Sequence, residues 1–330
     1  MKTDKNTKPE LLSFEEFMTA FRYNLDLNFS EVKKHFKFEE EMINKFGREL
    51  HGIIVHNSKD RVAPVFYYED FYESYRNGAT IQECIEIIVD FLRQSRLPGE
   101  EIQKKIADYA LARDQLIIKL INYRDNRKYL SGVPHKRFGD MAVIAQLFLQ
   151  SQFLGNGAVT VDKNLADFWD VSMEEIFDTA FSNMSRYEIK IDDLLKYAAD
   201  DRMIKKYNDG PKVYVLTYKA EFNGAPAIFR MDELLQFARE KDSDFFVLPV
   251  SIGEMLLVEY KDDISYDFLN GMLSSINQDH VNKTMVLSRQ VLFLERDRKE
   301  LTYLKDGQDC VFTAAVNKDK FIFEAKQKAQ

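Results

Sequence analysis

The sequence predicts an α+β protein, with mostly antiparallel sheets, helices packed on one face, and strand pairs alternating with helices. Three observations lead there. Ser or Thr followed three residues later by Glu, the spacing of a capping box, stands before apolar runs of helical period at Ser13, Thr80 and Ser172. Strand-like apolar runs come in pairs joined by short polar or Gly/Pro turns, and neighbours joined so tightly must be antiparallel. A helix follows each pair, which is the order of α+β layering and not of a doubly wound parallel sheet.

Residues 1–12 are polar at their start and are expected to be disordered. Ser13 and Glu16 box the helix "SFEEFMTAFRYNL", whose Phe14, Phe17, Phe21 and Leu25 share a face. From about Lys33 to Tyr68 the pattern turns to strands, "GIIVHNSKDRVAPVFYY", with a turn at "NSKD". Thr80 and Glu83 box "TIQECIEIIVDFL", with Ile81, Ile85, Ile88 and Leu92 inward, and a third helix runs after Pro98 and Gly99 through "EEIQKKIADYALARDQL". A buried apolar run follows Lys136 and Arg137, then "GNGAVTV", then a helix boxed by Ser172 and Glu175 ahead of Ile176, Phe177, Ala180, Phe181 and Met184. "YNDGPK", residues 207–212, collects breakers and sets the boundary between an N-terminal α+β domain, 13–206, and a C-terminal one, 207–330.

Beyond that boundary Asn223 and Gly224, inside "VYVLTYKAEFNGAPAIF", predict a tight hairpin. A helix opens at Asp232, and "DFFVLPVSIGEMLLVEY" gives two strands about a turn with Pro249 and Gly253. Another helix runs from Ser265 to His280, and "RQVLFLERDRKELTYL" forms a last hairpin around "RDRK". The tail "KDKFIFEAKQKAQ" is expected to be loosely held.

Composition removes several function classes. At 330 residues and 45% hydrophobic the chain can bury a core, yet no stretch approaches the ~18 uninterrupted apolar residues of a bilayer span. The start, "MKTDKNTKPE", lacks the apolar segment of a secretory signal, so a cytoplasmic protein is expected. Cys84 and Cys310 have no Cys-x-x-Cys spacing and read as plain thiols. A net charge of −8 repels phosphate backbones unless basic residues gather on one face, so direct nucleic-acid binding is disfavoured.

The sequence has no Gly-x-Gly-x-x-Gly turn, Walker-type loop, His-Glu-x-x-His helix or Gly-x-Ser-x-Gly elbow. That removes the commonest nucleotide, zinc-protease and serine-hydrolase routes and leaves only enzymes whose residues are scattered. No catalytic residue, cofactor or metal site is predicted. The histidines, His35, His51, His56, His135 and His280, form no i, i+4 pair, and His51 and His56 fall on opposite faces of a strand. The acid pairs Asp192–Asp193, Asp200–Asp201 and Asp262–Asp263 read as helix-start and turn residues.

Two clusters carry the binding candidates. In "FYYEDFYESY", residues 66–75, Tyr68, Phe71, Tyr72 and Tyr75 fall at i, i+3, i+4 and i+7 and make one aromatic stripe. The stripe is either a core helix with hydroxyls at its edge or a partner surface whose acidic neighbours select a basic partner. In "VPHKRFGD", His135, Lys136 and Arg137 are either an anion clamp, with Arg137 as bidentate fork and Lys136 as point charge, or the solvent end of a buried segment.

The stretches "YYEDFYESYRNG", "INYRDNRKYLSGVPHKRFGDMAVI", "FWDVSMEEIFDTAFSN", "VYVLTYKAEFNGA" and "FFVLPVSIGEMLLV" come in an order that resembles an uncharacterised domain family of gut Firmicutes, often carried on mobile elements. The resemblance spans roughly Ser13 to Leu301 and implies one shared architecture and no established activity. It also implies a histidine where this chain has Gly253, and it singles out Pro134, His135 and Phe138 within "PHKRF". The leading functional expectation is a non-catalytic protein that binds, and inhibits, a macromolecular partner, a protein or complex that is basic or handles nucleic acid. A mobile-element accessory or counter-defence role fits that profile. The alternatives are a small-anion or nucleotide binder, or an enzyme, using His135, Lys136 and Arg137, and nucleic-acid binding through a hidden basic face.

Overall fold

The computed structural model describes residues 11–28, 36–45, 48–57, 64–94, 104–151, 155–197, 211–220, 222–279, 281–298, 301–305, 308–317 and 320–327. The chain divides into two compact units, one of residues 1–107 with 150–157 and one of residues 108–149 with 158–330.

In the first unit α1 (Phe14–Asn28) precedes a three-stranded antiparallel sheet, β1 (Phe36–Lys45), β2 (Arg48–Asn57) and β3 (Val65–Tyr67). The chain then turns directly into α2 (Tyr68–Arg76) and continues to α3 (Ile81–Gln94). Both predicted boxes close. Glu16 N–H donates to Ser13 Oγ at 3.3 Å while Ser13 N–H donates to Glu16 Oε2 at 2.9 Å, and Thr80 and Glu83 repeat the exchange at 3.1 and 2.7 Å. The core is aromatic: Phe17 and Phe21 of α1 and Tyr68 and Phe71 of α2 meet Ile53 and Val55 of β2 and Cys84, Ile85 and Ile88 of α3. Each large ring so buried contributes roughly 2–3 kcal/mol of transfer free energy. Glu40 of β1 takes a fork from Arg22, at 2.6 and 2.5 Å, and a hydroxyl from Tyr68 at 2.8 Å. Burial raises the Glu40 carboxyl, but these donors outweigh it and hold the group below its ordinary value.

The second unit holds two sheets. In one, β4 (Leu116–Asn122), β5 (Lys136–Phe138) and β6 (Met141–Ser151) lie in the order β4-β6-β5, and β7 (Gly155–Thr160) also pairs with β6. The other has eight strands in the order β15-β14-β13-β12-β10-β11-β9-β8. These are β8 (Ile189–Asp193), β9 (Val213–Tyr218), β10 (Phe245–Leu248), β11 (Met255–Glu259), β12 (Leu292–Leu294), β13 (Leu301–Lys305), β14 (Gln308–Asn317) and β15 (Lys320–Gln327). The helices are α4 (Tyr109–Ala112), α5 (Arg127–Leu130), α6 (Lys163–Trp169), α7 (Met173–Met184), α8 (Met231–Lys241) and α9 (Tyr266–Asp279).

The protein is α+β with mostly antiparallel sheets, and helices cover both faces of the central strands. Leu269 and Leu273 of α9 pack on the face of Phe246, Leu248, Leu256 and Val258, while Phe237 of α8 meets Tyr214 and Phe245 on the other. The cause is visible in β10, which is apolar at every position and therefore needs cover on both sides.

Two predicted elements differ. Asn223 has the positive φ that a tight turn favours, at 42°, but the run after it is a buried 3-10 helix, Ala225–Phe229, and not a second strand. Pro226 supplies no N–H to a ladder and suits a first helical turn. The helix predicted through "EEIQKKIADYALARDQL" breaks at Asp108, whose extended backbone and carboxylate, accepting from Ala110 N–H at 2.9 Å, cap α4. Residues 207–210 lie outside the described residues, and β8 and β9 on either side of "YNDGPK" pair antiparallel in one sheet. Beyond Asn317, β15 pairs along β14.

Residues 1–10 lie outside the described residues, as does most of the "NSKD" turn. Among the described residues no helix is long and apolar enough to cross a membrane.

Candidate functional site

The two candidate clusters are placed very differently. Tyr68 and Phe71 are 1% and 5% exposed in the first unit's core. Tyr72 and Tyr75 are half-buried beside them, their rings 5.2–5.3 Å from Phe14 and Phe17. Their hydroxyls hold the chain ahead of α1, since Tyr72 donates to Leu12 O at 2.9 Å and Leu12 N–H donates to Tyr75 at 3.3 Å. The four residues thus pack on the first unit's core and anchor the chain ahead of α1.

His135 and Lys136, by contrast, line an open cleft of about 660 Å³ in the second unit. One wall is the loop Leu130–Pro134, which links α5 to β5. Lys163, the first residue of α6, and Met173, Glu174 and Phe177 of α7 form the other. Local chemistry fixes each wall. Asp162 caps α6 by accepting Leu165 N–H at 2.8 Å, and Ser172 caps α7 by accepting Glu175 N–H at 3.2 Å. Lys136 lies with its ammonium 5.2 Å from the Phe177 ring centre, which draws the charge across the cleft's apolar floor.

His135 Nδ1 sits 2.8 Å from Val133 O. A carbonyl only accepts, so Nδ1 carries the proton and Nε2 is the nitrogen left to accept a hydrogen bond.

Successive strand residues point to opposite faces, so Arg137 leaves the cleft where Lys136 enters it. The Arg137 guanidinium stacks on Tyr123, 3.5 Å from the ring centre, and donates to Gly139 O at 2.7 Å. Arg127 lies over the same ring at 5.8 Å, and the His135 ring is 5.7 Å from it. The predicted trio is thus split: two members line the cleft and the third joins a cation–aromatic stack beside it.

The short β5 is positioned by a two-residue hairpin, Gly139–Asp140, with Phe138 opposite Met141 and Gly139 at φ 62°. Asp140 is 8% exposed. Its carboxylate accepts the Ser288 hydroxyl at 2.6 Å and the Arg289 N–H at 2.9 Å, tying this hairpin to a loop almost 150 residues away. Burial raises the Asp140 carboxyl above its ordinary value, and the two donors only partly offset that.

Sequence reading missed Lys163, Met173, Glu174 and Phe177 as cleft residues. Lys163 left one physical hint, a cation at a helix start, where the backbone dipole disfavours it.

The other predicted features are structural. Asp192 pairs with Lys190 and Lys196, and Asp193 accepts Leu195 N–H at 2.9 Å; Asp200 and Asp201 lie outside the described residues. Cys84 is buried, and that burial raises its thiol. Among the described residues no group of His, Cys, Asp and Glu is arranged to hold a metal. Gly253 does not line the cleft, and a side chain there would meet only Ser251 Oγ, at 3.5 Å.

A family model described as a family of unknown function, DUF5688, matches residues 14–296. No curated protein and no solved structure matched the chain.

Proposed function

The chain belongs to this family of unknown function, DUF5688, and on its geometry we propose that it is a ligand-binding protein whose cleft takes a small phosphorylated molecule of nucleotide size. One observation carries the reading. Lys136 and Lys163 face a common cleft, and among the described residues neither has a carboxylate partner. A cleft lined by charges of one sign focuses the field and concentrates an anion from outside. A volume near 660 Å³ falls in the ~300–1,000 Å³ range of small-ligand sites.

The lining favours more than a bare phosphate. Leu130, Val133, Pro134, Met173 and Phe177 supply an apolar surface for a flat group, and Glu174 supplies an acceptor for its hydroxyl or amino donors. The cleft is preferred to the expected protein partner because the aromatic stripe, one of that partner's supports, packs on the first unit's core.

A thermal-shift screen of nucleoside phosphates tests this. A ligand at 100 times its Kd stabilises by about 2.7 kcal/mol, a rise of several degrees in Tm. Lys136→Ala/Lys163→Ala is expected to abolish the rise while leaving the unliganded Tm within about a degree. A screen without hits, or a shift kept by the double variant, refutes the proposal.

A further inference from the structure

We infer that the ligand is a segment of single-stranded nucleic acid, one nucleotide seated in the cleft and the following phosphates running over β5 onto the arginines around Tyr123. This rests on the cleft reading and extends it.

The residues 123–137, "YRDNRKYLSGVPHKR", hold Arg124, Arg127, Lys128, Lys136 and Arg137 with His135, against one acid, Asp125. Asp125 is engaged by Arg289 at 2.7 Å. Among the described residues, Arg124, Arg127, Lys136, Arg137 and Lys163 have no carboxylate partner. Two guanidinium groups, Arg127 and Arg137, thus meet at one ring, Tyr123, in a chain of net charge −8, and such a local concentration of cations is what lets an acidic protein hold a phosphate chain.

Geometry joins this surface to the cleft. His135 lines the cleft and also touches Tyr123, the ring over which Arg127 and Arg137 lie. Stacking fixes the plane of Arg137 and costs none of its donors, and among the described residues its one hydrogen bond is to Gly139 O. The remaining N–H groups are a pre-ordered fork for a phosphodiester.

A free nucleotide would use the cleft lysines and leave these arginines unused. A duplex would keep its bases stacked and out of the apolar cleft, whereas a single strand offers unstacked bases with phosphates at regular spacing. Among the described residues Glu174 lines the cleft, and Asp125 is engaged by Arg289.

Fluorescence anisotropy with a labelled twelve-nucleotide single strand, against a mononucleotide competitor at 50 mM salt, tests the inference. The strand is expected to bind at least 10-fold tighter than the mononucleotide. Arg124→Gln/Arg127→Gln/Arg137→Gln should erase that gain, leave mononucleotide binding unchanged, and lower the slope of log affinity against log salt by about 2, at about 0.7 per phosphate contact. Equal affinity for strand and mononucleotide, or a gain kept by the triple variant, overturns the inference while the cleft reading stands. Failure of both ligands to bind overturns both. Tighter binding of duplex than of single strand overturns the inference as well.

Discussion

Asp140→Ala is expected to cost about 2–4 kcal/mol of folding stability, because it removes a buried carboxylate that accepts one buried and one half-buried donor. Those donors are the Ser288 hydroxyl and the Arg289 N–H, both from a loop far along the chain that Asn122 also holds, donating to Leu287 O at 3.0 Å. Denaturant unfolding measures the loss, with a drop in Tm of roughly 5–10 °C for a unit of this size. The same change should loosen β5 and so weaken ligand binding in the cleft.

The titration of Asp140 has a definite sign. Burial raises its folded-state pKa, so the folded protein holds the proton more tightly than the unfolded chain. Its contribution is therefore greatest at low pH and declines as pH rises from the ordinary carboxylate range through the raised value. Asp140→Asn cannot titrate. The stability difference, wild type minus Asp140→Asn, is expected to shrink across that window and level off above it. A difference independent of pH would mean that burial does not raise this carboxyl.

Gly224→Ala is expected to cost about 3 kcal/mol, the upper end for overpacking. A Cβ on Gly224 would lie 1.9 Å from Thr217 Oγ1 and 2.2 Å from Gly253 O, where Thr217 donates to Gly253 O at 2.9 Å. The methyl must break that bond and displace the backbone of the 251–254 turn. Gly271→Ala is the control: it lies within α9, where a Cβ meets nothing within 4 Å, and should stabilise by about 0.5–1 kcal/mol. If the two substitutions proved equivalent by differential scanning calorimetry, the close approach at Gly224 would not exist.

Local rules made much of the fold legible. Capping at Ser13, Thr80 and Ser172, the β10–β11 pair around Pro249 and the hairpin at "RDRK" all depend on neighbours within a few residues. The failures have non-local causes. Gly139–Asp140 carries the residue types of a two-residue hairpin, but its fate is set by Ser288 and Arg289. The run after Asn223 is apolar enough for a strand, yet Pro226 and complete burial make it a 3-10 helix. Helices cover both sheet faces because β10 is apolar throughout, a pattern that single-strand reading cannot tell from a buried helix segment.

The candidate site was half legible. His135 and Lys136 were visible as a cluster, but a pleated strand sends Lys136 and Arg137 apart, so the trio could not be one clamp. Lys163 and Phe177 reach the cleft from two other helices, a convergence that only the folded chain displays. The aromatic stripe was left open between core and surface for an opposite reason. Its spacing is right for a helix face, but spacing does not say whether that face meets α1 or solvent.

Hydrogen–deuterium exchange of the full chain, with and without a saturating nucleoside phosphate, tests the ligand site most directly. Protection is expected in residues 130–136 and 163–177 and absent from α1 to α3. Protection confined to the first unit, or spread without preference for the cleft, would contradict it.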